Sequence, residues 1–326
     1  MRRLARAGFK GDFVRSAILP DWWEEGCEED VAVLPDIELR VARFLAAPVA
    51  SVRTAGTALV APPYPGARLR RVVEIERDRL AAAMHAAIQI SAAVVRSLRE
   101  PNRPVRMPPT DALTWRAQIS PGGFAVKLEN VLADCWERGI PVVPVDLLPT
   151  PSFQGLACVV GGRPVVALGH KHDEPGRIAF LVAHEVGHLT AGDCDPDHPV
   201  IDEDDEIADN SVVERRADSY ATGLLTGGSA VRTVSATSPK DLASKAVAIE
   251  RETGADAGAL IWSWARKSGD YLSAVLALKA LYRARGARKL LRQYFEQHVD
   301  LDAAAESDRA LLRCVFGGAE RDGSPG

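Results

Sequence analysis

An α+β fold, mostly helical with a small β-sheet packed on one metal-binding helix, is predicted by three observations. Pro175–Ala191 has helical periodicity and contains His184-Glu185-Val186-Gly187-His188. Two short apolar runs, residues 156–160 and 164–168, flank a Gly161-Gly162 turn and read as a hairpin. Most of the remaining chain has apolar residues at helical spacing, in Ala-rich stretches on both sides of this unit.

From the N-terminus, residues 1–61 read as short helices forming a small module, which a degenerate helix-turn-helix would fit. The Trp22-Trp23 pair is expected in its core. Proline-rich breaks at 62–66 and 101–109 bracket a linker and one long helix over 67–100, expected to be buried within the monomer. Residues 110–228 form the central unit. Its first part is a helix over 122–138, followed by an extended apolar segment at 140–145 and then the hairpin. The segment 164–168 is expected to be a sheet edge able to hold a peptide by strand addition. Residues 229–316 are helical by pattern, with Arg283, Arg285, Arg288, Lys289 and Arg292 giving one late helix a positive side, and 317–326 form a disordered tail.

The metal site follows from helix geometry. Positions four apart are separated by about 40° around the axis, so His184 and His188 can reach one tetrahedral ion, while Glu185 projects about 100° from His184. Two imidazoles and one further ligand leave a position for water, whose pKa zinc lowers to about 7, and a nearby carboxylate can take its proton. That is metalloprotease chemistry, with Glu185 as general base. Pro175 suits the first helical turn, Asp173 or Glu174 are candidate caps, and Gly192 is a C-terminal stop. Ile178, Val182, Val186 and Leu189 form the face opposite the histidines.

A third ligand must come from elsewhere. The pattern H-E-x-x-H-x-x-G-x-x-H fails, because Ala191 and Cys194 occupy the places of its Gly and its last His; Cys194 remains a candidate as a thiolate. The other candidate is Glu214, which shares a helical face with Ala217, Asp218, Ala221 and Leu225. The small residues there and Gly187 would let two helices approach closely, and Asp218 is placed to accept a hydrogen bond from the outer nitrogen of a ligating His. Ser211-x-x-Glu214 also fits a capping box, in which Glu214 binds no metal.

The apolar run 178–183 leading into His184-Glu185-Val186-Gly187-His188, followed by Glu214-Arg215-Arg216-Ala217-Asp218-Ser219-Tyr220-Ala221, resembles the ImmA/IrrE family of zinc metallo-endopeptidases over about residues 119–228. The resemblance implies a zincin-like domain, Zn2+ as cofactor, and Glu214 as third ligand. It also implies, as substrate, a bacterial transcriptional repressor whose cleavage switches on stress-response or mobile-element genes. Arg216 stands where the family commonly has an acidic residue, Tyr220 where it has Phe, and Thr226-Gly227-Gly228 where a Met-Pro follows.

His170 and His172 follow the second hairpin strand and are candidates to stabilise an oxyanion; as loop histidines they would simply be solvated. Residues 193–209 hold nine acidic side chains among seventeen, a solvated loop or a site favouring a basic substrate or a second cation at Asp193, Asp195, Asp197 and His198.

Bulk properties narrow the class. A net charge of −4, with 47% apolar and 26% charged residues, is ordinary for a globular protein and argues against wholesale nucleic-acid binding. Five cysteines, odd in number and without C-x-x-C, fit reduced thiols in a cytoplasm. No apolar run follows the basic N-terminus, so no secretory signal is expected, and residues 81–95 are too short and polar to span a bilayer. A cytoplasmic zinc endopeptidase is the leading expectation. Its rivals are a non-catalytic regulator with a structural zinc site that binds a repressor or DNA, and a zinc hydrolase of small molecules.

Overall fold

The structure is a computed structural model, and it describes residues 1–316 except 25, 28–29, 63, 65–73, 150–152, 170–171, 197, 203–211, 229–235 and 283–285. The N-terminal region holds four short helices, α1 (Arg2–Arg6), α2 (Gly11–Ala17), α3 (Leu34–Phe44) and α4 (Val49–Arg53), before the long α5 (Glu74–Arg96). Helices α6 (Ala112–Ile119) and α7 (Leu128–Glu137) lead into β1 (Val142–Pro144), β2 (Gly155–Val160) and β3 (Arg163–Leu168). Then come α8 (Pro175–Ala191), β4 (Val200–Asp202) and α9 (Val212–Thr226). The C-terminal helices are α10 (Pro239–Thr253), α11 (Ala257–Ser268), α12 (Tyr271–Leu281), α13 (Ala287–His298) and α14 (Glu306–Leu312). This is the mostly helical α+β architecture that the sequence predicts.

The four strands lie in the order β1-β3-β2-β4, with β1 parallel to β3 and the other pairs antiparallel. Gly161 and Gly162 both have positive φ, at 57° and 77°, which suits the two-residue hairpin turn between β2 and β3. β3 is buried along its whole length and paired on both sides. The expectation that 164–168 forms a sheet edge is therefore incorrect: β1 takes that side of β3 by parallel pairing, and the edges among the described residues are β1 and β4. A run apolar at both alternate positions already marks a strand covered on two faces. Gly155 meets Glu185 of α8, while Cys158, on the other face by strand alternation, lies beside Ser91 of α5.

Helix α5 is buried nearly all round its Ala-rich half, Ala82 to Val94, as expected. Its His85 is 1% exposed; Nε2–H donates to the Phe44 carbonyl (2.6 Å) and Nδ1 accepts from the Tyr64 hydroxyl (2.9 Å). The segments expected as separate modules share one continuous apolar core running from Leu4 to Val315. Trp22 departs from expectation. It is 48% exposed, and only Trp23 packs inward, under the Arg15 guanidinium. Residues 122–127 precede α7 as irregular chain, so the expected helix there is shorter, and at its start the Asn130 side chain accepts from the Lys127 backbone N–H at 2.9 Å.

Helix α8 begins and ends where expected. Pro175 opens it, and Gly192 ends it in the left-handed conformation that glycine adopts without steric cost. Neither candidate cap bonds its N-terminus: Glu174 holds the N-cap position without a side-chain bond, and Asp173 instead caps α13, accepting from the Arg288 backbone N–H at 2.8 Å. Every residue from Gly176 to Leu189 is buried, because α7, α9, α11, β2 and β3 all pack on α8. At its start the Cα atoms of Gly176 and Gly258 of α11 face each other so closely that a Cβ on Gly176 would lie 2.5 Å from Gly258. No helix among the described residues is long and apolar enough to cross a membrane.

Candidate metal centre

Gly187 sets the spacing between α8 and α9. A Cβ there would lie 3.2 Å from Ala217 Cα and 3.3 Å from Tyr220 Cβ. With both positions small, α9 comes close enough to bring Glu214 to the two histidines. His184 and His188 are fully buried and Glu214 is 7% exposed. His184 Nε2 lies 3.3 Å from Glu214 Oε2, His188 Nε2 lies 3.6 Å from Glu214 Oε1, and the two Nε2 atoms are 3.1 Å apart.

The outer nitrogens decide what faces inward. His184 Nδ1 pairs with Asp218 Oδ1 at 2.9 Å, and His188 Nδ1 with Asp193 Oδ2 at 3.1 Å. An ionised carboxylate only accepts, so both Nδ1 atoms carry the proton and both Nε2 atoms present lone pairs. Burial, reinforced by His184, pushes His188 down to about 4, which keeps its ring neutral at pH 7. Burial works against ionisation of Asp218 and Asp193 as well. Hydrogen bonds from His184 and Arg266 nonetheless hold Asp218 below the ordinary carboxylate range, and those from Arg216 and His188 do the same for Asp193.

Two imidazole lone pairs and a carboxylate thus converge, an arrangement that repels itself unless a cation sits between them. Ligands at about 2.0–2.1 Å from a tetrahedral ion lie about 3.3 Å from one another. The nitrogens, 3.1 Å apart, and their nearest Glu214 oxygens, Oε2 at 3.3 Å from His184 and Oε1 at 3.6 Å from His188, lie close to that edge. His184, His188 and Glu214 are the group of His, Cys, Asp and Glu side chains among the described residues that could hold a metal ion. Two nitrogens and one oxygen suit zinc or a neighbouring transition ion and not calcium or magnesium, which take oxygen ligands.

Cys194 is a partly buried cysteine that forms no disulfide, and it lies outside this group. Glu214 is therefore the better third ligand; the Ser211 of the alternative capping box lies outside the described residues. Glu185 is fully buried, and a Cβ on Gly155 would lie 2.0 Å from its Oε1, so the carboxylate rests against the bare backbone of β2. His172 is outside the group of metal-binding side chains among the described residues. Its Nδ1 lies 3.2 Å from Arg177, which is two turns before His184, about 10 Å along the helix, and Arg177 itself covers the Trp262 ring at 4.0 Å. His170 lies outside the described residues.

Asp193, Arg216 and Arg266 complete the surroundings, and sequence reasoning placed none of them there. Arg216 pairs with Asp193 at 2.5 Å and Arg266 with Asp218 at 3.0 Å, so each ligating His is backed by a carboxylate that is itself held by an arginine. For Asp193 a signal existed: Gly192 turns the chain back on itself, which returns the next residue to the last helical turn. The second-cation reading of the acidic loop fails for its best-placed members, since Asp193 is committed to His188 and Arg216, and Asp195 pairs with His198 at 2.7 Å. Residue 197 is outside the described set. Tyr220 stacks on Trp115 and donates to the Pro109 carbonyl, a structural use of that departure from the resembled pattern. Comparisons with protein-family models, with curated proteins and with solved structures returned no match.

Proposed function

We propose that the chain is a zinc-dependent endopeptidase, with His184, His188 and Glu214 holding the ion and Glu185 as general base. The observation that carries this reading is the convergence of three protein acceptors among the described residues, because a structural zinc site has four protein ligands and a catalytic one keeps a position open. Zinc held there supplies Lewis-acid polarisation of a carbonyl and brings the pKa of water toward neutrality. Glu185 takes the proton of the attacking water and passes it to the departing amine. Asp218 and Asp193 keep His184 and His188 in the tautomer whose Nε2 is free to ligate. The substrate class we propose, from the sequence resemblance alone, is a transcriptional repressor, cut in a segment that unfolds locally to enter the site. The proposed setting is the cytoplasm.

Burial of all three ligands favours a second reading, a structural metal in a regulatory protein that binds a repressor or DNA. One comparison separates the two. Zinc-loaded protein and Glu185→Gln are incubated with a panel of repressors, the fragments are read by mass spectrometry, and the zinc content of both proteins is measured. The peptidase reading expects cleavage that falls at least about 100-fold in the variant at equal zinc. Equal activity of the two, or no cleavage by either, sinks it.

A further inference from the structure

Between α9, α11 and Phe180 lies a cavity of about 550 Å3, within the size range of small-molecule sites. Its walls come from two helix faces at regular spacing. From α9 come Arg215, Asp218, Ser219 and Thr222; from α11 come Ser263, Arg266 and Lys267. Among the described residues three cations thus face one carboxylate, a formal lining charge of +2, in a chain whose net charge is −4. The positive lining is therefore a local arrangement and not a consequence of a basic surface. Asp218 accepts from His184 Nδ1 and from Arg266, so the Asp218–Arg266 pair is neutral and Arg215 and Lys267 carry the positive lining. Ser263 adds an unusual feature: it is 4% exposed, and its hydroxyl has no hydrogen-bond partner among the described residues. A ligand that hydrogen-bonds to this hydroxyl would satisfy a buried polar group.

The cavity is distinct from the metal position. It reaches the centre at Asp218, which sits on Nδ1 of His184, across the ring from the ligating Nε2. We propose that it binds a small phosphomonoester. Guanidinium, ammonium and hydroxyl groups are the partners that a phosphate dianion selects, and a net lining charge of +2 matches its charge near neutral pH. The ligand would share the Asp218–Arg266 pair with the metal centre, so that its binding bears on the group that orients His184. This inference does not depend on peptidase activity, since it is read by binding alone.

The test is calorimetric titration of the zinc-loaded full chain, freed of excess metal, with glycerol 3-phosphate at constant ionic strength. One site with millimolar or tighter affinity is expected. Arg215 and Lys267 are exposed, so the double variant Arg215→Gln/Lys267→Gln should fold and should bind at least tenfold more weakly. Ser219→Trp, which fills the cavity, should abolish binding, whereas Lys289→Gln on the distant α13 should not change it. Absence of binding at 10 mM ligand, an unchanged affinity in the double variant, or binding of a hexaglutamate peptide in place of glycerol 3-phosphate would each overturn the assignment. Equal melting temperatures of the variants and the parent make these outcomes decisive.

Discussion

At the scale of single residues, Glu214 is the side chain on which the centre depends. Without it, the two Nε2 atoms 3.1 Å apart would share no anion, and a two-histidine site binds zinc weakly. Glu214→Ala is expected to lose bound zinc, seen as a fall from one to near zero metal per chain after gel filtration. Retention of full occupancy would return Cys194, or a residue outside the described set, to the ligand list. The polar contacts at Asp193 and Asp218 show why sequence distance misleads here. Asp218 is legible because it follows Glu214 by one turn, while Arg266, which holds it, is 48 residues further on in another helix.

Elements are positioned at this centre by missing side chains. Gly187 lets α9 reach α8, and Gly155 lets the Glu185 carboxylate lie against β2. An added methyl at Gly155 would lie 2.0 Å from Glu185 Oε1 and 2.6 Å from Cδ, and Glu185 is enclosed on all sides, so the carboxylate must move. If the proposed peptidase activity holds, Gly155→Ala is therefore expected to lower turnover by about 100-fold through misplacement of Glu185, with a stability loss of about 1–3 kcal/mol and bound metal retained. Kinetics beside denaturant melts check this. Full turnover would show that Glu185 can work from another position. Periodicity predicted the bounds of α8 to the residue, and the Gly-Gly turn predicted the β2–β3 hairpin. Strand order was not available to it, because whether β3 is an edge depends on where β1, some twenty residues earlier, pairs.

For the whole molecule, metal and protons should both govern stability. Zinc that binds only the folded chain stabilises it by about 2.7 kcal/mol at a hundredfold excess over Kd. Chelation should lower the melting temperature and zinc should restore it; a melting temperature indifferent to both would exclude a folded-state metal. The second control is His85, which burial pushes down to about 4 from the ordinary value near 6.5. Because the unfolded chain protonates first, the contribution of His85 is complete above about pH 6.5 and is lost as pH falls toward 4. The loss amounts to about 2.5 kcal/mol at pH 4.5. Urea melts at pH 7.5 and 4.5 should show a smaller acid-induced loss for His85→Gln than for the parent by about that amount. An identical loss would mean that His85 is already protonated or is exposed in the native state.

Local pattern was enough to specify the helix that carries His184, Glu185 and His188, the hairpin before it, and the placement of Glu214 and Asp218 on one face. These features are local: each is written within a few turns of helix or one turn of chain, where spacing and glycine placement suffice. Long-range packing is what brings Glu214 and not Cys194 to the histidines, sets Asp193 behind His188 and seats Glu185 on Gly155. It also decided that β3 is interior, that Trp22 is exposed, and that Arg266 links a basic cavity to His184. All of these depend on which surfaces meet across long separations in sequence. Close packing settles those meetings for the chain as a whole, and local pattern does not encode them.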